Sequence, residues 1–300
     1  FTPLLTVAAL SGAITGEHDL PQFHTVEYDL TTEFANGRTM HMKNTAVNAD
    51  AGQLFFEVGA PMIAAADNPF ERVLVRSVHG TVKITPEARA AAILSVNVPR
   101  QKYRPGETVK AYVTYRPFRA AESLLPIDFE LPRDVPNGTY QLSVSDWTQF
   151  LAAEQAAKPF RFAAESVDEV FAVMGELNAL RHDAVYVRMT RQSDGVAIGR
   201  TAMPNLPSSR REVLIGAGRS NTTPFVSASV KVVPVKYVMS GAAQFQITID
   251  KNAKVETGGK PGAKPSEAGD AVAPPTPANP PTPAKGDEKP KAAPSESPAS

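Results

Sequence analysis

Five histidines, His18, His24, His41, His79 and His182, are the first candidates for proton transfer or metal ligation. No two have the spacing of a helical HxxxH or HExxH pair, so no zinc signature is present. The chain has no cysteine, which excludes thiolate sites, thiol nucleophiles and disulfides. His18-Asp19 and His182-Asp183 have the composition of a base with its orienting carboxylate, but neighbours in sequence point apart in a strand or helix, and surface or capping roles fit them better. A serine nucleophile needs a strained, exposed turn with oxyanion donors beside it. Neither GxSxG nor an SGSP-type loop occurs, and the nearest match, Ser240-Gly241 in VMSGAA, reads as a hairpin turn between two alternating strands. GAGRSNTTPF, residues 216 to 225, has the glycines, arginine and hydroxyls of a phosphate loop but no following Lys-Ser/Thr, and a strand rather than a helix comes next. Asp128 and Glu130 share the solvent face of one strand, the ordinary place for two carboxylates that are not a glycosidase pair. The residue types that remain are aromatic. Tyr112 on a polar strand face, with Tyr103 and Trp147 near strand ends, makes the candidate ligand surface, and no catalytic, cofactor or metal residue is assigned.

The elements that must position these side chains are mainly strands. Phe23, Val26, Tyr28, Leu30 and Phe34 interleave with polar residues, Asn36-Gly37 supplies a turn and RTMHMK a return strand, which is a β-hairpin. ERVLVRSVHGTVKI predicts a further strand pair around Gly80, and Thr85-Pro86 has the N-cap chemistry to start a short helix in EARAAA, although a loop would serve equally. In the centre, Val109, Ala111, Val113 and Tyr115 alternate with Lys110, Tyr112, Thr114 and Arg116 after a Pro105-Gly106 turn. Ile127, Phe129 and Leu131 alternate next, and Pro136-Asn137-Gly138 turns the chain into Tyr140, Leu142 and Val144. Such strands predict an immunoglobulin-like antiparallel β-sandwich over 93–160. One helix stands out at 166–181, with Ser166 and Glu169 as a capping box and Val167, Val170, Phe171, Met174, Leu177 and Leu180 on one face. AVYVRMTR and GVAIG read as two strands after it, and VSASVKVVPVKYVMSGAAQFQITID as two more, with Val230, Val232, Phe245, Ile247 and Ile249 on apolar faces. The expected fold is therefore mainly β with one helix, a β-rich α+β chain. It comprises a β-rich segment 1–92, the sandwich 93–160, an α+β segment 161–250 and a tail 251–300.

Composition bounds the partners. The 300 residues carry 31 Lys+Arg against 31 Asp+Glu, and 7 basic and 6 acidic residues fall in the last fifty, leaving 24 and 25 for the body. That balance creates no field for gathering phosphate backbones, so nucleic-acid binding is not expected. Residues 251–300 hold 11 of the 27 prolines and no aromatic, a composition that cannot bury enough apolar surface to offset its ordering entropy and predicts a disordered tether. The opening FTPLLTVAALSGAITG is apolar but lacks a basic flank, is interrupted by Pro3 and is shorter than the roughly 18 residues of a span. It reads as buried structure rather than a targeting or membrane segment.

Taken in order, YRPGETVKAYVTYRPFRAAESLLPIDFELPRDVPNGTYQLSVSD, ESVDEVFAVMGELNALRHDAVYVRMTR, LPSSRREVLIGAGRSNTTPF and KYVMSGAAQFQITI resemble the C-terminal region of bacterial proteins that carry a sporulation stage IV B-type serine peptidase domain. The likeness spans roughly Pro61 to Asp250 and rests on the PGE turn, Arg116-Pro117, the LNALRHDAVYVR helix end and the closing YVMSG strand, while YRPGETV also looks like the opening strand of macroglobulin-type sandwiches. In that family the catalytic histidine and the serine of its SGSP-type loop lie in the peptidase domain, and no position here matches that motif. The resemblance therefore implies a non-catalytic accessory module of an exported, periplasmic or envelope protein, serving as scaffold, docking surface or oligomer contact. Its partner would be the upstream peptidase domain or a second copy. The alternative is a free-standing envelope module that binds polysaccharide or protein.

Overall fold

The computed structural model describes residues 21–204, 206–216 and 222–253, with Leu4, Leu5, Ala8, Ala9 and Gly12. Residues 254–300 of the expected tail and residues 217–221 of the glycine-rich connection lie outside the described residues, as does most of the opening apolar stretch. Of that stretch, the described Leu4 and Leu5 are exposed rather than buried.

The chain is mainly β with accessory helices, as the alternating sequence requires. Strands β1 (Thr25–Phe34) and β2 (Thr39–Val47) form the expected hairpin, with Gly37 taking the positive φ of its turn. β3 (Val75–Thr85) pairs with the other edge of β1, giving a three-stranded antiparallel sheet in the order β2-β1-β3. Gly80 does not turn the chain. It sits opposite Leu30 in mid-strand, where a Cβ would lie 2.1 Å from the Asp29 carbonyl oxygen, so glycine permits a close crossing of two backbones.

Between β2 and β3 runs a helical stretch that alternation could not reveal: α1 (Ala51–Leu54), a π-helical turn (Phe55–Gly59) and α2 (Ala60–Ala66). Pro61 has no N–H to bond the Glu57 carbonyl, and the Ala60 N–H closes the wider ring to Phe55. Val58, Met62 and Ala65 pack on Tyr28, Leu30, Phe34, Met40 and Met42.

Two further sheets face each other across one apolar core. The first has the order β12 (Val238–Ser240), β4 (Ala90–Asn97), β6 (Thr108–Pro117), β7 (Ser123–Glu130). The second runs from β10 (Thr201–Met203) through β9 (Ala184–Ile198), β8 (Gly138–Ser145) and β13 (Ala242–Ile249) to β5 (Lys102–Tyr103), with β11 (Thr222–Pro234) on the other side of β9. Val109, Val113, Ile127 and Phe129 from one layer meet Leu142, Val144, Val187, Met189, Ile247 and Ile249 from the other, the period-2 pattern realised.

Several expectations are corrected. EARAAA leads into β4 because its alanines pair with β6 and β12. AVYVRMTR and GVAIG are one fifteen-residue strand. Ser240-Gly241 is no hairpin turn: β12 pairs parallel with β4, β13 antiparallel with β8, and Gly241 at φ +92° passes the chain between layers. Val230 and Val232 are exposed, and Val233 packs on the core instead; between Val226 and Ala228 the pairing with β9 shifts by two residues, so the ladder is interrupted just before this part of the strand.

The helix count also exceeds one. α3 (Trp147–Ala157), a 3-10 turn (Pro159–Arg161), α4 (Val167–Asn178) and α5 (Ser208–Gly216) join the helical stretch at 51–66. α4 is the helix expected at 166–181. Its Ser166 hydroxyl caps the Glu169 N–H at 3.3 Å, but it stops at Asn178 because the next residues find distant partners. Phe171 packs edge-on against Phe34 with centroids 4.8 Å apart, so this helix covers the N-terminal sheet.

Candidate functional site

Where α4 ends, Asn44 of β2 takes over the backbone. Its Nδ2 donates to the Leu180 carbonyl at 2.7 Å, and its Oδ1 accepts the His182 N–H at 2.8 Å. The Tyr186 hydroxyl accepts the Arg181 N–H at 2.8 Å and lies 3.1 Å from the Arg181 carbonyl. Asn44 and Tyr186, both on strands, thus hold backbone groups of Leu180, Arg181 and His182, and His182 is carried inward, its side chain only 8% exposed. The His182 Nδ1–H donates to the Thr45 carbonyl at 3.2 Å, which leaves Nε2 as the acceptor nitrogen. Burial holds this imidazole below the ordinary histidine value, against the opposing pull of Glu57, the Thr45 hydrogen bond and Asp183.

Trp147 lies flat on that ring, centroids 4.1 Å apart and planes 16° from parallel. It is the first residue of α3, whose N-cap Asp146 accepts the Gln149 N–H at 2.8 Å through one oxygen and the Gly241 N–H at 2.7 Å through the other. The carboxylate that starts the helix therefore also fastens the crossover between the two layers.

The π-helical turn contributes the third component. Glu57 points its carboxylate toward β1, where Oε2 accepts the Tyr28 hydroxyl at 2.9 Å, while Oε1 accepts Gln53 Nε2 at 2.9 Å and His182 Nδ1 lies 3.9 Å from Oε2. Burial first, and then the charge and hydrogen bond of Glu57, push the Tyr28 hydroxyl far above its usual value, so Tyr28 stays a donor.

These groups line a cavity of about 500 Å³, whose walls are mostly apolar: Met42, Phe56, Pro61, Trp147, Leu151 and Leu177. Asn178, at the end of α4, also lines it, and its buried Nδ2 has no hydrogen-bond partner among the described residues. A mainly apolar cavity of this size with a few convergent polar groups has the form of a small-ligand site.

The three aromatics singled out in the sequence do not converge. Tyr103 is 3% exposed, part of the sandwich core with the Arg100 guanidinium over its ring, and offers no surface. Tyr112 is 38% exposed on the outer face of β6, paired with Pro126 and Asn97. Only Trp147 lines the cavity, and the groups around it, Glu57, Tyr28, Asn44 and Asn178, carry no short-range motif that would have marked them. His182 was legible as a residue but not in its role: it faces Glu57, while Asp183 pairs with Arg181 at 2.7 Å. Of the other histidines, His24 has its ring nitrogens at carbonyl oxygens of Pro21 and Ala49, His41 pairs with Asp29 at 3.5 Å, and His79 is exposed. His18 lies outside the described residues.

Among the described residues no three His, Asp or Glu side chains gather as a metal site, and no helix is long and apolar enough to cross a membrane. Comparison with protein-family models, with curated proteins and with solved structures found no match to this chain.

Proposed function

We propose that this chain is a non-catalytic binding module, the accessory part of an exported protein of the sporulation stage IV B-type peptidase kind, and that it recognises its ligand in the Trp147–Glu57–His182 cavity. The cavity carries the reading: elements from three stretches of sequence, 28–61, 147–151 and 177–182, combine to build one apolar chamber with a polar floor. The side chains with catalytic composition have structural duties instead. Asp146 caps α3, Ser166 caps α4, Asp183 holds Arg181, and the Ser240 hydroxyl donates to the Ala91 carbonyl. The resemblance of the chain's segments to that family supplies the exported setting. We read the sandwich as immunoglobulin-like, in support of which the Tyr140 hydroxyl donates to the Pro136 carbonyl four residues upstream at 3.0 Å, the geometry of a tyrosine corner.

Two measurements test the reading. Excitation of Trp147, the sole tryptophan, should transfer energy to the neutral apolar probe N-phenyl-1-naphthylamine with one saturable site per chain. Leu151→Gln should weaken that binding about tenfold without lowering Tm, since a polar amide replaces part of the apolar wall. Transfer that never saturates would remove the cavity as the site. Labelling of a single serine by a fluorophosphonate would end the non-catalytic reading.

A further inference from the structure

Glu57 is a buried acid without a committed cation. Its side chain is 11% exposed, and both its carboxylate oxygens accept hydrogen bonds from neutral donors, Tyr28 and Gln53, an arrangement suited to the ionised, acceptor-only form. Among the described residues its only ion-pair neighbour is His182, which burial keeps neutral and whose Nδ1–H is given to Thr45. Lys43 also lines the cavity, but its side chain is 70% exposed and its ammonium is bonded to Asp29 at 2.8 Å. A buried carboxylate balanced only by neutral dipoles is costly, and a cation entering beside it would regain Coulomb energy in a medium of low dielectric constant. The walls favour the same occupant. Trp147 and Phe56 present aromatic surface, and Phe56 is 73% exposed although it stands at an apolar site.

We infer that the cavity binds an organic cation, a ligand with an apolar or aromatic body and an ammonium group that pairs with Glu57. This inference rests on the cavity being the binding site. The body fills the space between Leu151, Leu177 and Pro61, and Asn178 Nδ2 is a free donor for an acceptor atom carried elsewhere on the ligand. Such an ammonium belongs either to a small free amine or to a lysine side chain of a partner protein.

The test titrates the full chain with phenethylammonium and with 2-phenylethanol, its neutral counterpart, following Trp147 fluorescence. Phenethylammonium should bind about tenfold or more tightly than the alcohol in the native chain, and in Glu57→Gln the ratio of the two affinities should fall to about one. Gln keeps the shape and one acceptor, so loss of the preference isolates the charge. A blocked lysine amide as a third probe separates the sources: tighter binding than phenethylammonium assigns the cation to a protein side chain, weaker binding to a free amine. Equal affinity for amine and alcohol, or a preference that survives Glu57→Gln, overturns the inference while the neutral probe still marks the cavity as a site. Failure of all the probes overturns both readings.

Discussion

His182 is neutral because it is buried, and that has a signed consequence for stability. Its folded pKa lies below the ordinary 6.5, so between those two values the unfolded chain binds the proton that the folded chain refuses. Its contribution is therefore complete above pH 6.5 and declines as pH falls toward the depressed folded value. Melting temperatures between pH 7.5 and 5 should fall more steeply for the native chain than for His182→Gln, and parallel curves would contradict the placement of the ring. Glu154 is likewise held below its ordinary value, but in its ionised form and by its partners rather than by burial. Burial pushes this carboxyl up, but hydrogen bonds and charge from Lys158 and Arg188 outweigh it and hold the group below its usual value. Its oxygens lie 3.1 Å from Arg188 Nε and 2.9 Å from Lys158 Nζ. Glu154→Ala would leave the nearly buried Arg188 without its carboxylate and should cost about 3 kcal/mol in denaturant unfolding; a loss below about 1 kcal/mol would show that water already serves that guanidinium.

At the scale of elements, one connection sets the site without depending on the apolar pattern. Asp146 starts α3 and anchors Gly241, so Asp146→Ala should destabilise by about 1–2 kcal/mol and loosen the Trp147–His182 stack, visible as a change in the near-ultraviolet circular dichroism of the sole tryptophan. An unchanged spectrum would mean that packing alone orients Trp147. Gly80→Ala forces a Cβ against the Asp29 carbonyl in the middle of a strand and should cost about 1–3 kcal/mol, read from the urea midpoint. These cases explain what sequence reading captures. Alternation at Val109, Ala111 and Val113 and the cap-and-stripe pattern at 166–177 are local, and the structure has them. The π-helical turn is set by a missing N–H at Pro61 inside a stretch with neither clean period, and the exposure of Val232 depends on which partners its strand finds, which its own alternation does not record. Gly80 reads as a turn in any local window, because its reason for being glycine is the chain across the sheet.

Over the whole molecule, the site exists because distant stretches interlock. β8 of the central segment pairs with β9 and β13 of the following one, and α4 rests on the hairpin at the start of the chain. Glu57 and His182 are 125 residues apart in sequence yet 3.9 Å apart in space, which no spacing rule could have indicated. The same interlocking makes the core indivisible. Val113→Asp places an unpaired charge between the two facing sheets and should abolish the cooperative transition by far- and near-ultraviolet circular dichroism together, including the Trp147 signal outside that core; loss of the far-ultraviolet signal alone would contradict this coupling. The most direct test of the central claim is the site of contact in solution, measured as intermolecular nuclear Overhauser effects from the ring protons of bound phenethylammonium. Contacts with the Trp147 indole and the Leu151 and Leu177 methyls are the expected result, and contacts confined to Tyr112 and its neighbours on the outer sheet face would contradict it.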